Sequence, residues 1–169
     1  MLAVLIGMAA ALRAIDTMMV WASGVPRGVL VCASLDDAEG RTGLRLVGVR
    51  SLLGDFTVQD GGIRATVRPV AAISVGLRAV QPPVQHLTVF RSAGDEIPER
   101  LRPPLPAFHQ IKVTLDTGVV AELRAESLPD GSVRQDMEWV DARGRTALRF
   151  DGHTVDLLSV ARRLARGAR

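Results

Sequence analysis

The chain has 169 residues, of which 47% are hydrophobic and 23% charged, and its formal net charge at neutral pH is +3. This composition is typical of a globular protein with one domain or two small lobes, and it excludes a disordered or low-complexity chain. Cys32 is the only cysteine, which excludes an intrachain disulfide framework and leaves the redox compartment open.

The basic residues are almost all arginine and are concentrated at the carboxyl end. Lys112 is the single lysine beside twenty arginines, and the chain contains no Asn and no Tyr. Because Lys, Asn and Tyr share A/T-rich codons, this bias indicates a GC-rich bacterial or phage genome and weakens the case for nucleic-acid binding. Arg162, Arg163, Arg166 and Arg169 carry +4, so the rest of the chain carries −1. We expect these arginines to complement a helix dipole, with an acidic partner or lipid head groups as alternative contacts.

Residues 1–24 are predicted to form an apolar helix with a bulky stripe and a separate stripe of small side chains. The small stripe consists of Ala3, Gly7, Ala10, Ala14 and Thr17. Small residues allow another backbone to approach closely, so this stripe is a candidate partner-docking face. Between the stripes, Arg13 and Asp16 are spaced to form an ion pair.

The same helix is long enough to cross a bilayer, but its charges oppose insertion. Arg13 and Asp16 cost about 2.5–3.5 kcal/mol each near the bilayer centre, whereas the Leu, Ile and Val residues recover roughly 2–4 kcal/mol in total. We therefore favour packing in the protein core or at an interface over a membrane span by residues 2–22. A signal peptide is not supported, because the chain has no basic segment before the apolar run.

Residues 25–92 are predicted to form a β-rich lobe of five or six strands, arranged as a sandwich or a barrel-like sheet. Asp36-Asp37-Ala38-Glu39-Gly40 is predicted to be an acidic turn, and Asp60-Gly61-Gly62 a tight turn. The predicted strands are a buried strand at 28–34, then 44–50, a segment beginning at Phe56, 63–68, 70–80 and 84–91.

Residues 93–107 contain four prolines and are predicted to be an extended connector between two lobes. Residues 108–169 are predicted to form a four-stranded antiparallel meander closed by a C-terminal helix, because each turn between apolar runs ends in glycine. The predicted strands are 108–115, 119–126, 132–140 and 145–150. The helix is predicted to be capped by His153 or Thr154 and to turn Val155, Leu158, Ala161 and Leu164 or Ala165 inward. The fold class is therefore mainly β with an N-terminal and a C-terminal helix.

No sequence motif predicts catalytic, cofactor-binding or metal-ligating residues. His86, His109 and His153 are far apart and lack a metal-ligand spacing, and Cys32 in its apolar run is expected to be a buried, inert thiol. The carboxylates Asp36, Asp37 and Glu39 do not have the spacing of a calcium loop. No phosphate-binding glycine loop or nucleophile elbow is present.

The sequence favours a non-enzymatic structural or interaction subunit of a larger assembly, such as a phage particle, a secretion apparatus or an envelope complex. Its expected partners are other protein subunits, either copies of itself or different chains, and the expected location is the cytoplasm or a virion. One alternative is a membrane-anchored accessory domain with residues 2–22 in the bilayer. The other is a small enzyme in which His109, Asp116, Asp136 and Glu138 meet across the meander.

Overall fold

One antiparallel sheet of eight strands organises the chain. The computed structural model describes residues 24–81, 85–105, 109–129, 131–152 and 157–167, which include three helices packed on one face of this sheet. The expectation of a mainly β protein with a C-terminal helix is confirmed. Residues 1–23 of the predicted helix at 1–24 lie outside the described residues.

Each half of the chain contributes a four-stranded meander to the sheet. The strands are β1 (Leu30–Val31), β2 (Phe56–Thr66), β3 (Ala72–Ala79), β4 (His86–Ser92), β5 (His109–Thr114), β6 (Val120–Ser127), β7 (Val133–Asp141) and β8 (Gly144–Gly152). The helices are α1 (Leu35–Thr42), α2 (Val47–Arg50) and α3 (Leu157–Gly167). The strand order β1-β2-β3-β4-β8-β7-β6-β5 means that the two meanders meet where β4 pairs with β8. The first four strands therefore belong to the same sheet as the second meander and do not form a separate sandwich or barrel.

The predicted meander at 108–169 is confirmed, and its four strands are β5 to β8. Their hairpins close as expected at glycines, since the Gly118 amide donates to the Leu115 carbonyl at 2.8 Å and the Gly131 amide to the Leu128 carbonyl at 3.0 Å. The C-terminal helix α3 is also confirmed, with Ala161, Leu164 and Ala165 buried. The predicted capping residues and Val155 lie outside the described residues.

The prediction of a buried strand at 28–34 is wrong. Only Leu30 and Val31 pair, they lie at the edge of the sheet beside β2, and 39% and 50% of their surface is exposed. An apolar run of this length is typical of a central strand. Here the run lies at the edge of the sheet, because it pairs with one side of β2 and the longer β3 pairs with the other side.

The predicted acidic turn at 36–40 is instead the body of helix α1. The Ser34 hydroxyl caps the helix by accepting a hydrogen bond from the Asp37 amide at 3.1 Å. The acidic residues of the first turn interact favourably with the positive end of the helix dipole. Asp37 also pairs with Arg41 one turn later, with 2.6 Å between Oδ1 and Nε. The same carboxylates that suggest a solvated turn therefore stabilise a helix start.

The predicted strand at 44–50 is also wrong, because this segment forms the short helix α2. The Glu39 carboxylate accepts the Leu46 amide at 2.5 Å and so holds the residue that precedes the helix. Leu46, Val49 and Leu52 are buried, a spacing of three residues that suits a helical turn against the sheet. Because α2 replaces one predicted strand, and the segments predicted from Phe56 and at 63–68 form the single strand β2, the described part of 24–92 contains four strands.

The predicted turn at Asp60-Gly61-Gly62 is a bulge within β2. The pairing of β2 with β3 changes register between Val58 and Ile63, and Gly61 takes a φ of 62° that glycine adopts without strain. The strand continues through the bulge because β3 pairs with the residues on both sides of it. Ile63 and Ala65 alternate into the core, whereas Val67 is exposed.

The hydrophobic core lies between the helices and one face of the sheet. Alternate residues of β2 to β4 and β6 to β8 contribute to it, and fully buried members include Leu52, Ile73, Leu77, Leu87, Met137, Leu148 and Phe150. Across the sheet, Ile63, Val75, Val89, Leu148 and Met137 form one continuous row through five paired strands. The core therefore spans both meanders without a break.

The connector after β4 crosses the opposite face of the sheet. Leu101 packs with Val29 and Ala72, and Ala72 points away from the helices because its neighbour Ile73 is in the core. Arg100 fixes the same segment by donating to the Arg27 and Arg68 carbonyls. The proline-rich segment thus covers part of the sheet on its way to β5.

Leu52 and Leu53 provide a matched test of the core. Leu52 is fully buried, whereas 41% of Leu53 is exposed. We expect Leu52→Ala to lower the free energy of unfolding by about 2–5 kcal/mol, because it removes buried methyl groups and leaves a cavity. Leu53→Ala should change it by about 0.5 kcal/mol or less, and urea unfolding curves measure both. Equal losses would contradict this assignment of the core.

Gly48 allows α2 and α3 to approach closely. A Cβ atom at this position would lie 2.8 Å from the Leu164 carbonyl oxygen, whereas a Cβ atom on Gly40 in α1 would meet nothing within 4 Å. We expect Gly48→Ala to destabilise the protein by about 1–3 kcal/mol through overpacking. Gly40→Ala should stabilise it by about 0.4–1 kcal/mol, because it restricts the unfolded chain. Thermal unfolding distinguishes the two outcomes by the sign of the shift.

Candidate functional site

The sheet face opposite the helices carries a cluster of charges on the second meander. Strand alternation places these side chains on one surface, where Arg124 of β6 lies opposite Asp136 of β7, and Asp136 opposite Arg149 of β8. The next cross-strand pair on the same face is Glu122 with Glu138. Two negative charges in directly opposite positions repel each other and destabilise the pairing. Arg124 relieves it, because its Nη2 lies 3.2 Å from Glu122 Oε2 and 3.5 Å from Glu138 Oε1.

Arg102 brings the connector onto this surface. Its Nη2 lies 2.5 Å from Asp136 Oδ1, and its Nη1 donates to Glu138 Oε2. Arg149 holds the same segment from β8, since its Nη2 donates at 2.8 Å both to Asp136 Oδ2 and to the Pro103 carbonyl. Asp136 is 3% exposed and Arg102 is 10% exposed, so these ion pairs are shielded from water. The connector is thereby anchored to the sheet by buried charge pairs.

Between the connector and the sheet lies a cleft of about 360 Å³, which we name the arginine cleft. Its floor is formed by Arg102, Arg124, Arg145, Arg149, Asp136 and Glu138, and its walls by residues of the connector, including Ile97, Pro103 and Pro104. Phe90 of β4 lies below it, with the guanidinium carbons of Arg102 and Arg149 both 5.9 Å from the ring centre. The cleft therefore depends on both meanders.

The electrostatics of the cleft favour the charged forms of its residues. Burial raises the pKa of the Glu138 carboxyl, but the hydrogen bond and the charge of Arg102, joined by two further arginines, outweigh burial and hold that pKa below its ordinary value. For Arg102, burial lowers the pKa of the guanidinium, but Asp136 and Glu138 reverse this effect and raise that pKa. Each partner thus stabilises the charge of the other.

Several donors in the cleft are left without an acceptor. The Nε–H groups of Arg124, Arg145 and Arg149 are buried and have no hydrogen-bond partner among the described residues. An unmatched buried donor costs about 1–3 kcal/mol, and more when it is charged. The cleft therefore contains charged donors that the described residues leave unmatched.

The outer edge of the second meander is a second candidate surface, which we name the β5 edge (His109–Thr114). The Leu115 amide donates to the Val119 carbonyl at 2.9 Å, so alternation turns the backbone groups of odd-numbered residues toward β6. The backbone N–H and C=O groups of Gln110, Lys112 and Thr114 therefore point away from the sheet. Ile111 lies between them with 55% of its surface exposed. Within the described part of the chain, no strand pairs with this edge.

The predicted docking stripe of Ala3, Gly7, Ala10, Ala14 and Thr17 lies outside the described residues, as does Arg169. The other three terminal arginines are held by carboxylates of the chain itself. Arg162 Nε lies 3.0 Å and Arg166 Nη2 3.5 Å from Asp116, and Arg163 Nη1 lies 2.5 Å from Asp55. These ion pairs attach α3 to the loops of the sheet. The side chains of Arg166 and Asp55 are more than half exposed, whereas those of Arg162, Arg163 and Asp116 are less than half exposed.

The carboxylates considered for an enzyme site do not form one constellation. Asp136 and Glu138 share the arginine cleft, whereas Asp116 pairs with α3, which packs on the other face of the sheet. In the acidic cluster, Asp36 pairs with Arg50 and Asp37 with Arg41. No group of three or more His, Cys, Asp or Glu in the described ranges has the geometry to hold a metal ion.

Cys32 is buried, as expected from its apolar run. Burial raises the pKa of the thiol, and the nearby Asp37 raises it further, so the thiolate is disfavoured. None of the helices within the described ranges combines the length and apolarity that a membrane crossing requires.

Sequence reasoning did not identify the arginine cleft. The available signal was charge at every second position, as in Glu122 and Arg124 or Asp136 and Glu138, which marks a polar sheet face. That pattern alone does not distinguish a solvated face from a covered one. No pattern in the sequence marks Arg102 as part of the cleft, because its position over the sheet depends on the path of the connector.

Glu138 makes the stability of the cleft dependent on pH. Because its pKa is depressed in the folded state, its contribution is complete above the ordinary pKa of 4.5 and is lost as the pH falls through the folded pKa. We expect Glu138→Gln to cost about 3 kcal/mol at pH 7, since it breaks a buried ion pair. The difference between wild type and variant should narrow below pH 4.5 in urea unfolding measured across pH.

Glu99→Gln is the matched control, because Glu99 lines the same cleft but is exposed. It should change the free energy of unfolding by about 0.5 kcal/mol or less at pH 7. A constant difference between wild type and Glu138→Gln at every pH would contradict the assigned role of this carboxylate.

The comparisons with known proteins identify no relative: no protein-family model, no curated protein and no solved structure matches the chain.

Proposed function

We propose that the protein is a non-enzymatic interaction subunit that assembles with a second copy of itself through the β5 edge. The observation that carries this proposal is an outer strand of six residues with outward-facing backbone groups and an exposed Ile111. Unpaired strands of this kind are templates for adding another strand, and their main-chain hydrogen bonds supply affinity. The opposite outer strand, β1, has only two residues and offers much less pairing.

The sequence of β5 suits antiparallel pairing with itself. A two-fold axis perpendicular to the sheet, centred on Ile111, places this residue opposite Ile111 of the second copy. Gln110 then lies opposite Lys112 of the second copy, and these outward-facing residues form hydrogen-bonded pairs that exchange both N–H···O=C bonds.

This register also keeps like charges apart. A shift of the axis by one residue would place Lys112 opposite Lys112 of the second copy, which disfavours pairing. The register centred on Ile111 therefore combines apolar contact, hydrogen bonding and charge compatibility.

In this proposal, the predicted helix of residues 1–24 provides a separate docking face. Its stripe of Ala3, Gly7, Ala10, Ala14 and Thr17 allows close approach to another subunit of the assembly. Pairing of β5 then joins copies of the chain, and the helix joins them to other components.

The test is the mass of the full-length chain in solution, measured by sedimentation over a range of concentrations. The wild type should show a monomer–dimer equilibrium. Ile111→Asp should weaken dimerisation by about a hundredfold or more, because two buried isoleucine contacts of about 1.5 kcal/mol each are lost. Val140→Asp is the matched control, since Val140 is 45% exposed but lies in β7, two strands from the edge. It should dimerise like the wild type.

A mixing experiment tests the predicted register directly. Ile111→Asp and Ile111→Lys should each be monomeric alone, because each places like charges opposite one another. Mixed in equal amounts, they should form a heterodimer through opposite charges at the same position. A wild type that stays monomeric at all concentrations, or a dimer that Ile111→Asp leaves intact, would overturn the proposal.

A further inference from the structure

We propose that the arginine cleft is a binding site for an oxyanion, the chemical class that includes carboxylates and phosphates. This inference is independent of pairing at the β5 edge, which lies on the outermost strand. It combines three observations: an excess of guanidinium groups on the cleft floor, buried donors without acceptors, and adjacent space.

The floor of the cleft contains more positive than negative charge. Four arginines share two carboxylates there, Asp136 and Glu138, each of which pairs with at least two of them. Glu122 offsets a third positive charge through Arg124, which leaves one guanidinium without a carboxylate of its own. Glu96 and Glu99 also line the cleft, but both are exposed to water, which screens their charges.

The hydrogen-bonding capacity of the floor is also incomplete. The Nε–H groups of Arg124, Arg145 and Arg149 are buried without an acceptor among the described residues. Each guanidinium presents five donors in a planar fork that matches the oxygens of a carboxylate or a phosphate. An anion in the cleft would supply acceptors for donors that the protein itself leaves unmatched.

Arg124 and Arg145 are the groups that an entering anion reaches first. Their side chains are 32% and 25% exposed, compared with 10% for Arg102 and 13% for Arg149. Both converge on Glu138 Oε1, Arg145 with its Nη1 at 3.0 Å and Arg124 with its Nη2 at 3.5 Å. Arg102 and Arg149 are the more buried pair. Both form ion pairs with Asp136, and these contacts hold the connector over the site.

The Nε–H groups can be observed individually by nuclear magnetic resonance of the full-length ¹⁵N-labelled protein. Titration with inorganic phosphate at constant ionic strength should shift the Arg124 and Arg145 signals in a saturable manner. Arg134 provides an internal reference, because its Nε lies 2.5 Å from Asp151 on the same sheet face but outside the cleft. Its signal should stay unchanged. Shifts that do not saturate, or that are equal at Arg134, would overturn the proposal.

Variants test which arginine binds the anion. Arg145→Gln should weaken phosphate binding about tenfold or more, the effect of losing a charge-assisted hydrogen bond of about 1.5 kcal/mol. Arg134→Gln removes the same charge from the same face and should bind like the wild type. If Arg145→Gln fails to fold, Arg124→Gln serves the same purpose at a more exposed position. Binding that survives both cleft substitutions would overturn the proposal.

A parallel titration with acetate identifies the preferred oxyanion. Saturable shifts with both anions at the same arginines indicate a site for oxyanions in general, and stronger binding of one assigns the ligand to that class. Either result supports the site. Failure of both anions to shift the cleft arginines would overturn it, and the result is independent of the dimerisation measurement.

Discussion

The pairing of β4 with β8 is the interaction on which the rest of the structure depends. It joins two four-stranded meanders into one sheet with a continuous core. The helices on one face and the connector on the other both rest on strands from each side of this junction. Phe90 of β4 reaches the guanidiniums of Arg102 and Arg149 because the junction places them side by side. A sheet ending at β4 would have neither the core row from Ile63 to Met137 nor the arginine cleft.

The two faces of the sheet are stabilised by different physical means. On the helix side, burial of alternating apolar residues supplies the driving force, and close backbone contact at Gly48 aligns α2 with α3. On the other side, charged residues of β6 to β8 neutralise one another and attach the connector through Arg102. Buried ion pairs contribute less net stability than apolar packing, but they define the position of the segment they hold. This division allows one face to form the core while the other holds the connector through charge pairs.

The candidate surfaces follow from the sheet architecture. An open sheet has two outer strands, and here the short β1 leaves little to pair, whereas β5 leaves a full strand. Lys112 on the outer strand disfavours the self-pairing register that would place it opposite Lys112 of a second copy. The arginine cleft lies one to three strands away and is formed without β5 residues. The two candidate surfaces are therefore formed by different residues of the same sheet.

The sequence by itself determined the second meander and the C-terminal helix. Their signals are local: glycine-closed turns separate apolar runs of strand length, and the α3 residues Ala161 and Leu164 recur at helical spacing. Residues 28–50 were misassigned because their local signals are ambiguous. Asp36 and Asp37 are compatible with either a turn or a capped helix start. The spacing of Leu46, Val49 and Leu52 favours a helix only where a sheet is present to bury these side chains. Only the tertiary structure decided the β4–β8 junction, the outer position of β5 and the place of Arg102 over Asp136 and Glu138. These features arise from contacts between residues far apart in sequence, which no local pattern encodes.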